Sequence, residues 1–368
     1  MNASLIVSPP VSLFQPVASR SAGHGWLRSA VDLLLADQRR SGETPLYKLS
    51  IPALDGVDIY LKDESLHPTG SLKHRLARSL FLQAICSGQV REGTPVVEAS
   101  SGSTAVSEAY FARLLGLPFT AVMPRGTARC KIDQVRRLGG DCHFTDHPAQ
   151  VQAEARRLAL ACGGHFMDQF TQAERVTDWR GNNIAASLFE QMRDEAHPVP
   201  EAIVVSAGTG GTASTIGRYL RYQGYSSRLV VADPEFSAFY DSYRQGDRSL
   251  TCARGSRIEG IGRPQVEASF LPEVVDDMIK VPDAASIATL HWLEQTQGKK
   301  AGGSTGTNLW ATLQLAIAMR EAGQRGSLVT LMCDSGERYL DTYYNQEWVA
   351  EHIGGLSAYT AQLRPFLS

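Results

Sequence analysis

The sequence lacks the features of nucleic-acid-binding, membrane-spanning and secreted proteins. Its 36 Lys and Arg nearly balance 38 Asp and Glu, so a formal net charge of −2 provides no positive field for nucleic acid or an anionic membrane. No apolar run reaches the ~18 residues that a bilayer-spanning helix needs. The N-terminal stretch has no basic segment followed by a long apolar one, so we expect no secretory signal. We therefore expect neither a nucleic-acid nor a membrane partner.

Paired cysteine motifs are absent as well. The six cysteines, at positions 86, 130, 142, 162, 252 and 333, include no Cys-x-x-Cys pair. In a chain of this length they indicate reduced thiols, and with them a cytoplasmic location, rather than a disulfide framework. The nine histidines are scattered, and no zinc or other metal site is predicted.

The chain does contain a regular alternation of short apolar strands and helices. Strand segments such as "TPVVEAS" (94–100), "PFTAVMP" (118–124) and "HFMDQF" (165–170) are short, as buried parallel strands are. Strands that alternate with helices predict βαβ units, and hence an α/β protein whose two lobes each contain a mainly parallel sheet with helices on both faces. We expect an N-terminal extension with strands on the larger lobe (1–64), a smaller lobe (65–180) and a larger lobe (181–368), with the ligand in the cleft between the lobes.

A glycine-rich turn, "GTGGT" at 208–212, joins a buried strand to a helix. Glycines let the backbone approach an anion, and a helix N-terminus offers unpaired N–H groups and the positive end of its dipole, so the turn predicts a phosphate site. The same stretch fits Gly-x-Gly-x-x-Ala, and Asp233 follows at the end of the next strand, which is a dinucleotide-binding pattern. Taken alone, it does not separate a nicotinamide dinucleotide from another phosphate ester.

Lys73 lies in "SLHPTGSLKHR" (65–75), at the predicted start of a helix. Desolvation and the positive end of a helix both lower the pKa of a lysine, which is what an amine that forms a Schiff base requires. The alternative is an exposed lysine on a solvated face beside Arg75 and Arg78.

Hydroxyl groups follow two further strands. In "EASSGST" (98–104) four hydroxyls and a helix N-terminus converge, which predicts a carboxylate site built from uncharged donors rather than a single N-cap. In "LMCDSGERYL" (331–340) a strand ends in Asp-Ser-Gly, where a serine is placed either to meet a ring nitrogen or to cap a helix.

Together these motifs resemble the fold type II pyridoxal-phosphate enzymes, the cysteine synthase and cystathionine β-synthase group with a tryptophan synthase β-like fold. The similarity runs from "GETPLYKL" (42–49) to "SGERYL" (335–340) with the motifs in the family's order. The resemblance implies a pyridoxal 5'-phosphate cofactor bound to Lys73, a cytoplasmic homodimer and an amino-acid substrate. It implies cofactor contacts at Ser103, Gly208, Thr209, Gly210, Gly211, Thr212 and Ser335, and substrate-carboxylate contacts at Ser100, Ser101, Thr104 and Gln169.

One departure points to a branch of the family. Cysteine synthases usually read Thr-Ser-Gly-Asn-Thr in the carboxylate loop, whereas this chain has Ser-Ser-Gly-Ser-Thr, with Ser103 in place of the asparagine. The segment "EASSGSTAVSEAYFARLLGLPF" is most similar to L-cysteine desulfhydrases. We therefore expect β-elimination on L-cysteine to sulfide, pyruvate and ammonia. The alternatives are cysteine-synthase-type β-replacement on an activated serine, a nicotinamide oxidoreductase, and a catalytically weak, cofactor-loaded binding partner.

Overall fold

The computed structural model describes residues 17–366, and ten strands lie within that range. From β3 onward, at least one α-helix separates each strand from the strand before it, as the βα alternation predicts. The strands are β1 (Leu46–Lys48), β2 (Val57–Asp63), β3 (Val96–Ala99), β4 (Phe119–Pro124), β5 (Asp141–Thr145), β6 (His165–Phe166), β7 (Ala202–Ser206), β8 (Arg228–Pro234), β9 (Asp277–Val281) and β10 (Gly326–Met332).

Thirteen α-helices lie in the described part of the chain. Several end at a glycine in the left-handed conformation, the usual helix stop, as Gly116 and Gly224 illustrate. The helices are α1 (Val17–Ser41), α2 (Lys73–Cys86), α3 (Ser103–Leu115), α4 (Arg129–Arg137), α5 (Val151–Ala161), α6 (Gln169–Val176), α7 (Ile184–Met192), α8 (Gly211–Gln223), α9 (Ala238–Gln245), α10 (Asp283–Gln297), α11 (Gly303–Glu321), α12 (Gln346–His352) and α13 (Ser357–Leu363).

The larger sheet has six strands in the order β1-β2-β10-β7-β8-β9, parallel except for the β1–β2 pair. Alternate residues of its central strands enter different cores because successive side chains point to opposite faces. Val204 and Val230 pack with α10 and α11, whereas Ile203 and Val205 pack with α7 and α8. The sheet is therefore covered by helices on both faces, which confirms the predicted α/β class.

The smaller sheet has four parallel strands in the order β5-β4-β3-β6. Helices α2 and α3 cover one face, and α5 covers the other. Helix α1 also packs here, because its buried residues Ala30 and Leu34 join the core of α2 and α3. Within the expected N-terminal segment 1–64, β1 and β2 lie in the larger sheet, whereas α1 packs on the smaller one. Residues 1–16 lie outside the described range.

The chain around residue 168 also differs from the sequence prediction. The segment 165–170 was expected to be one strand, but β6 ends at Phe166 and α6 begins at Gln169. Asp168 lies between them with a φ of 54°, a left-handed conformation that Asp tolerates better than most residues. This turn aims the N-terminus of α6 at the end of β3.

Among the described helices, none is both long and apolar enough to cross a membrane.

Candidate active site

A cavity of about 510 Å³ lies between the two sheets, at the carboxyl ends of β3, β7 and β10. Its wall contains residues from both units, that is, from the parts of the chain built around each sheet. Open α/β folds bind ligands at this place, at the carboxyl ends of their strands. The structure brings ten of the predicted site residues to this wall: Lys73, Ser100, Ser101, Ser103, Thr104, Gln169, Gly208, Thr209, Gly210 and Thr212.

Lys73 is the first residue of α2 and is partly buried in the cavity wall. Burial lowers the pKa of its ammonium group; the positive charge of Arg263 acts in the same direction, whereas Cys333 and Asp334 oppose it. The preceding backbone is held on the larger sheet, since Leu72 N–H donates to the Cys333 carbonyl at 2.9 Å. Lys73 is thus an amine that is more easily neutral than a surface lysine, at a defined place in the cavity.

The hydroxyl-rich loop forms another part of the wall. It connects β3 to α3, and Gly102 N–H donates to Ser100 Oγ at 3.2 Å. Thr104 Oγ1 donates to Gln169 Oε1 at 2.7 Å, so the turn at Asp168 places the amide of Gln169 next to the loop. The loop, Gln169 and the N-terminus of α3 can together hold a carboxylate.

A pair of buried glutamates supports this loop from behind. Glu98 accepts hydrogen bonds from Ala99 N at 2.6 Å and from Gln169 N at 3.2 Å. Neither carboxyl oxygen of Glu108 has a hydrogen-bond partner among the described residues. Burial raises the pKa of Glu98 to about 7 and that of Glu108 well above its usual value. The pair therefore holds protons near neutral pH, which limits the negative charge under a site for an anion.

The glycine-rich turn leaves no room for side chains. A Cβ on Gly208 would lie 2.2 Å from the Gly260 carbonyl oxygen, and one on Gly210 would lie 2.5 Å from Phe270 Cα. Gly210 also has a φ of +90°. Gly211 does not reach the cavity wall; a Cβ there would lie 2.7 Å from Ala173 Cβ of α6, so it serves helix packing. The turn lets backbone N–H groups at the start of α8 face the cavity, as a phosphate requires.

Ser335, the residue predicted to meet the pyridine nitrogen of the cofactor, is not in the cavity wall. Its hydroxyl accepts from Glu337 N at 3.3 Å and caps the 3₁₀ helix Gly336–Tyr339, which is the alternative that the sequence left open. Ser304, at the start of α11, lines the cavity instead. Ser335 thus lies outside the cavity lining, its contact with the ring nitrogen stays a prediction, and sequence analysis did not single out Ser304.

Arg338 is another cavity residue that sequence analysis missed. Its Nη1 donates to Ser103 Oγ at 2.7 Å, and its Nη2 donates to the Thr69 carbonyl. These contacts connect the 3₁₀ helix after β10 to both the carboxylate loop and the segment before Lys73. The only signal was its position inside "GERYL", because the contact depends on how distant segments pack.

A family model described as "Pyridoxal-phosphate dependent enzyme" matches residues 38–334, more than half of the chain. The chain belongs to the pyridoxal-phosphate dependent enzymes. This confirms the resemblance inferred from the motifs and the predicted cofactor, and it removes the nicotinamide alternative. The site fits a pyridoxal-phosphate dependent enzyme, since a partly buried lysine amine, a glycine turn without room for a Cβ and the Ser304 hydroxyl share one cavity.

Relatives among the pyridoxal-phosphate dependent enzymes include lyases and synthases. The chain is 57% identical to the L-cysteine desulfhydrase Cds1 of Mycobacterium tuberculosis, over 91% of this chain and 92% of that protein. It is 27% identical to a cysteine synthase of Dictyostelium discoideum, over 84% of each chain. The crystal structure of O-ureido-L-serine synthase superimposes with a TM-score of 0.74 and 25% identity, over 88% of this chain and 98% of that one.

Proposed function

We propose that this pyridoxal-phosphate dependent enzyme is an L-cysteine desulfhydrase, which converts L-cysteine into sulfide, pyruvate and ammonia by β-elimination. The observation that carries the proposal is the 57% identity to a desulfhydrase over 91% of the chain. The serine-rich carboxylate loop, which departs from the cysteine synthase pattern at Ser103, supports the same branch.

Different residues of the cavity have different roles in this reaction. The cofactor, when bound, supplies a conjugated ring that withdraws electrons from the substrate's α-carbon. The loop 100–104 and Gln169 hold the substrate carboxylate. Lys73 Nζ accepts the α-proton, because its lowered pKa lets it act as a neutral amine. The turn 208–212 would hold the phosphate of the cofactor, and Ser304 would offer a hydroxyl to its ring nitrogen.

A serine at the ring nitrogen matters for the choice of reaction. A neutral hydroxyl stabilises a protonated ring nitrogen less than a carboxylate would, so the ring withdraws electrons less strongly. Loss of a β-substituent relieves the charge on the α-carbon at once, whereas transamination needs that charge to persist. Ser304 therefore favours β-elimination or β-replacement over transamination.

A second candidate is cysteine-synthase-type β-replacement, in which a thiol or sulfide adds before the product leaves. The 27% identical cysteine synthase and the fold of O-ureido-L-serine synthase favour it. Both candidates share the first half of the reaction, so they differ only in whether water or a second nucleophile completes it.

The test uses purified holoenzyme with L-cysteine as the only substrate, and follows sulfide and pyruvate together. A desulfhydrase releases both in equal and sustained amounts, and Lys73→Ala abolishes their release. Release that stalls until sulfide or a thiol is added identifies a synthase. Bound cofactor without any turnover identifies the binding-partner alternative.

We also propose that the protein is a cytoplasmic homodimer, on the basis of its balanced charge and the family resemblance. We propose in addition that the chain divides into segments 1–64, 65–180 and 181–368, with the cofactor in the cleft between the lobes. Light scattering at several concentrations tests the dimer. A scattering mass equal to that of one chain at every concentration would contradict it.

A further inference from the structure

Arg263 lines the cavity but had no role in the sequence prediction. It lies on the loop between α9 and β9, and its backbone is tied to the start of α9, because Arg263 N donates to Ser237 Oγ and Ala238 N donates to the Arg263 carbonyl. Its guanidinium carbon lies 4.3 Å from the centre of the Phe170 ring, on α6 of the smaller unit. The charge is therefore held in place between the two units.

The guanidinium has unused donors. Nε donates to the buried Glu267 at 2.7 Å, whereas Nη1 and Nη2 have no hydrogen-bond partner among residues 17–366. The side chain keeps about a third of its surface exposed, at 31%. Arg263 thus has four N–H bonds available to a ligand, while its position is fixed by one ion pair and one aromatic face.

Each of the other charged side chains of the cavity wall, apart from Lys73, has a polar partner. Lys131 pairs with Glu259 at 2.7 Å, and both residues line the cavity. Arg338 binds Ser103 and Thr69, and Asp334 accepts from Tyr339 at 2.7 Å. Arg263 is the arginine of the described wall whose two Nη atoms both lack a hydrogen-bond partner, whereas both Nη atoms of Arg338 are bonded.

The position of Arg263 relates it to the substrate rather than to the phosphate. Its stacking partner Phe170 follows Gln169, which we assign to the substrate carboxylate, and its charge lies close enough to Lys73 to lower the pKa of that amine. The carboxylate of an amino acid already has the loop 100–104 and the start of α3. The amine must lie at Lys73. The group of L-cysteine that remains is its sulfur.

We propose that Arg263 binds the β-substituent and stabilises the anion that leaves, so that it selects substrates whose leaving group is a basic anion such as hydrosulfide. The proposal rests on the function proposed above. The α-proton moves to Lys73 Nζ, and the electron pair of the broken Cα–H bond forms the Cα–Cβ double bond. The Cβ–S bond breaks, and the sulfur keeps its electron pair and leaves as hydrosulfide. A fixed guanidinium at the sulfur opposes the charge as it develops, without needing to reorganise.

The test compares leaving groups in the wild type, Arg263→Gln and Arg263→Lys, with pyruvate as the common readout. The substrates are L-cysteine, O-acetyl-L-serine and β-chloro-L-alanine, whose leaving anions are progressively weaker bases. We expect Arg263→Gln to lower kcat/KM for L-cysteine by roughly 10²-fold, and for β-chloro-L-alanine by less than about threefold. Arg263→Lys should recover part of the loss, because it keeps the charge but not the fork of donors.

Arg254→Gln is the matched control, because Arg254 stacks on Phe236 at 3.9 Å in the same segment but does not line the cavity. Arg254→Gln should leave kcat/KM for all three substrates unchanged. An equal loss for all substrates in Arg263→Gln would assign the arginine to the carboxylate or to folding, and no loss would remove it from the site; both overturn the proposal.

The two proposals fail separately. If the wild type forms pyruvate from β-chloro-L-alanine but releases no sulfide from L-cysteine, the desulfhydrase proposal fails. The ratio between O-acetyl-L-serine and β-chloro-L-alanine then decides on Arg263 alone: a ratio that falls in Arg263→Gln supports its role at the leaving group, and an unchanged ratio refutes it.

Discussion

Replacing Gly210 with alanine should damage both the fold and the cofactor site. Gly210 is the residue before α8, with a φ of +90°, and an added Cβ would lie 2.5 Å from Phe270 Cα and 2.7 Å from Phe270 N. The left-handed conformation costs alanine about 1–2 kcal/mol. The contact is with backbone, which cannot rotate away, so overpacking adds about 1–3 kcal/mol. We expect a total loss of ~2–5 kcal/mol of unfolding free energy.

Gly246→Ala separates the two effects. Gly246 also has a positive φ, +68°, at the end of α9, but a Cβ there would meet no atom within 4 Å. This variant should lose only the conformational part, about 1–2 kcal/mol. Urea denaturation of the cofactor-free proteins measures both losses at equal ionic strength, and the slope with urea shows whether the unfolded states are comparable.

Cofactor affinity provides the second readout. Relief of the contact at Phe270 must move the start of α8, and with it the N–H groups that we assign to the phosphate, so Gly210→Ala should weaken cofactor binding at least ~10-fold. Gly246→Ala should leave the affinity unchanged. The reasoning is refuted if the two variants lose equal stability, or if Gly210→Ala keeps wild-type affinity for the cofactor.

Two further predictions concern buried polar groups. Burial raises the pKa of Glu98 to about 7, and that of Glu108 also rises, so the folded state keeps protons that the unfolded chain releases near pH 4.5. Their contribution to unfolding free energy is therefore lost as pH rises from ~4.5 to ~7, by ~3 kcal/mol for Glu98 alone. Urea titrations between pH 5 and 8 should show a shallower decline in Glu108→Gln, and an unchanged decline would contradict the protonated pair. Ser304→Ala should weaken cofactor binding about tenfold in a fluorescence titration, whereas Ser335→Ala should cost up to ~1 kcal/mol of stability with unchanged affinity; the reverse result would restore Ser335 to the site.

The local parts of the site were predictable from sequence. Strand-to-helix turns concentrate glycine and hydroxyl residues, and parallel strands bring their carboxyl ends to one edge, so the turns at 100–104 and 208–212 had to lie in a common region. Lys73 followed from the same logic, since it opens a helix after a compact, polar approach. The family match adds the cofactor to what these turns alone left open.

What sequence missed depends on long-range packing. Gln169 lies at a helix start because Asp168 adopts a left-handed turn and Glu98 accepts from the backbone of α6. Ser335 satisfies a local cap, which the pattern could not distinguish from a ligand contact. Arg263 is charged and sits in an irregular loop, so neither period nor motif marks it. Its importance is visible only when Phe170, far away in sequence, meets its guanidinium.

Residues 71–72 are attached to the end of β10, so the residues of the site belong to two structural units that can move separately. Ser71 bridges to Asp334, and Leu72 bonds to Cys333, although α2 belongs to the smaller unit. The amine of Lys73 and the turn 208–212 therefore share one frame, the six-stranded sheet. The carboxylate loop belongs to the other frame. A rigid-body movement of the smaller unit would change the contacts of the carboxylate loop with the substrate, but it would keep the distance between Lys73 and the turn 208–212. The substrate could therefore bind and leave while the lysine and the phosphate site stay in register.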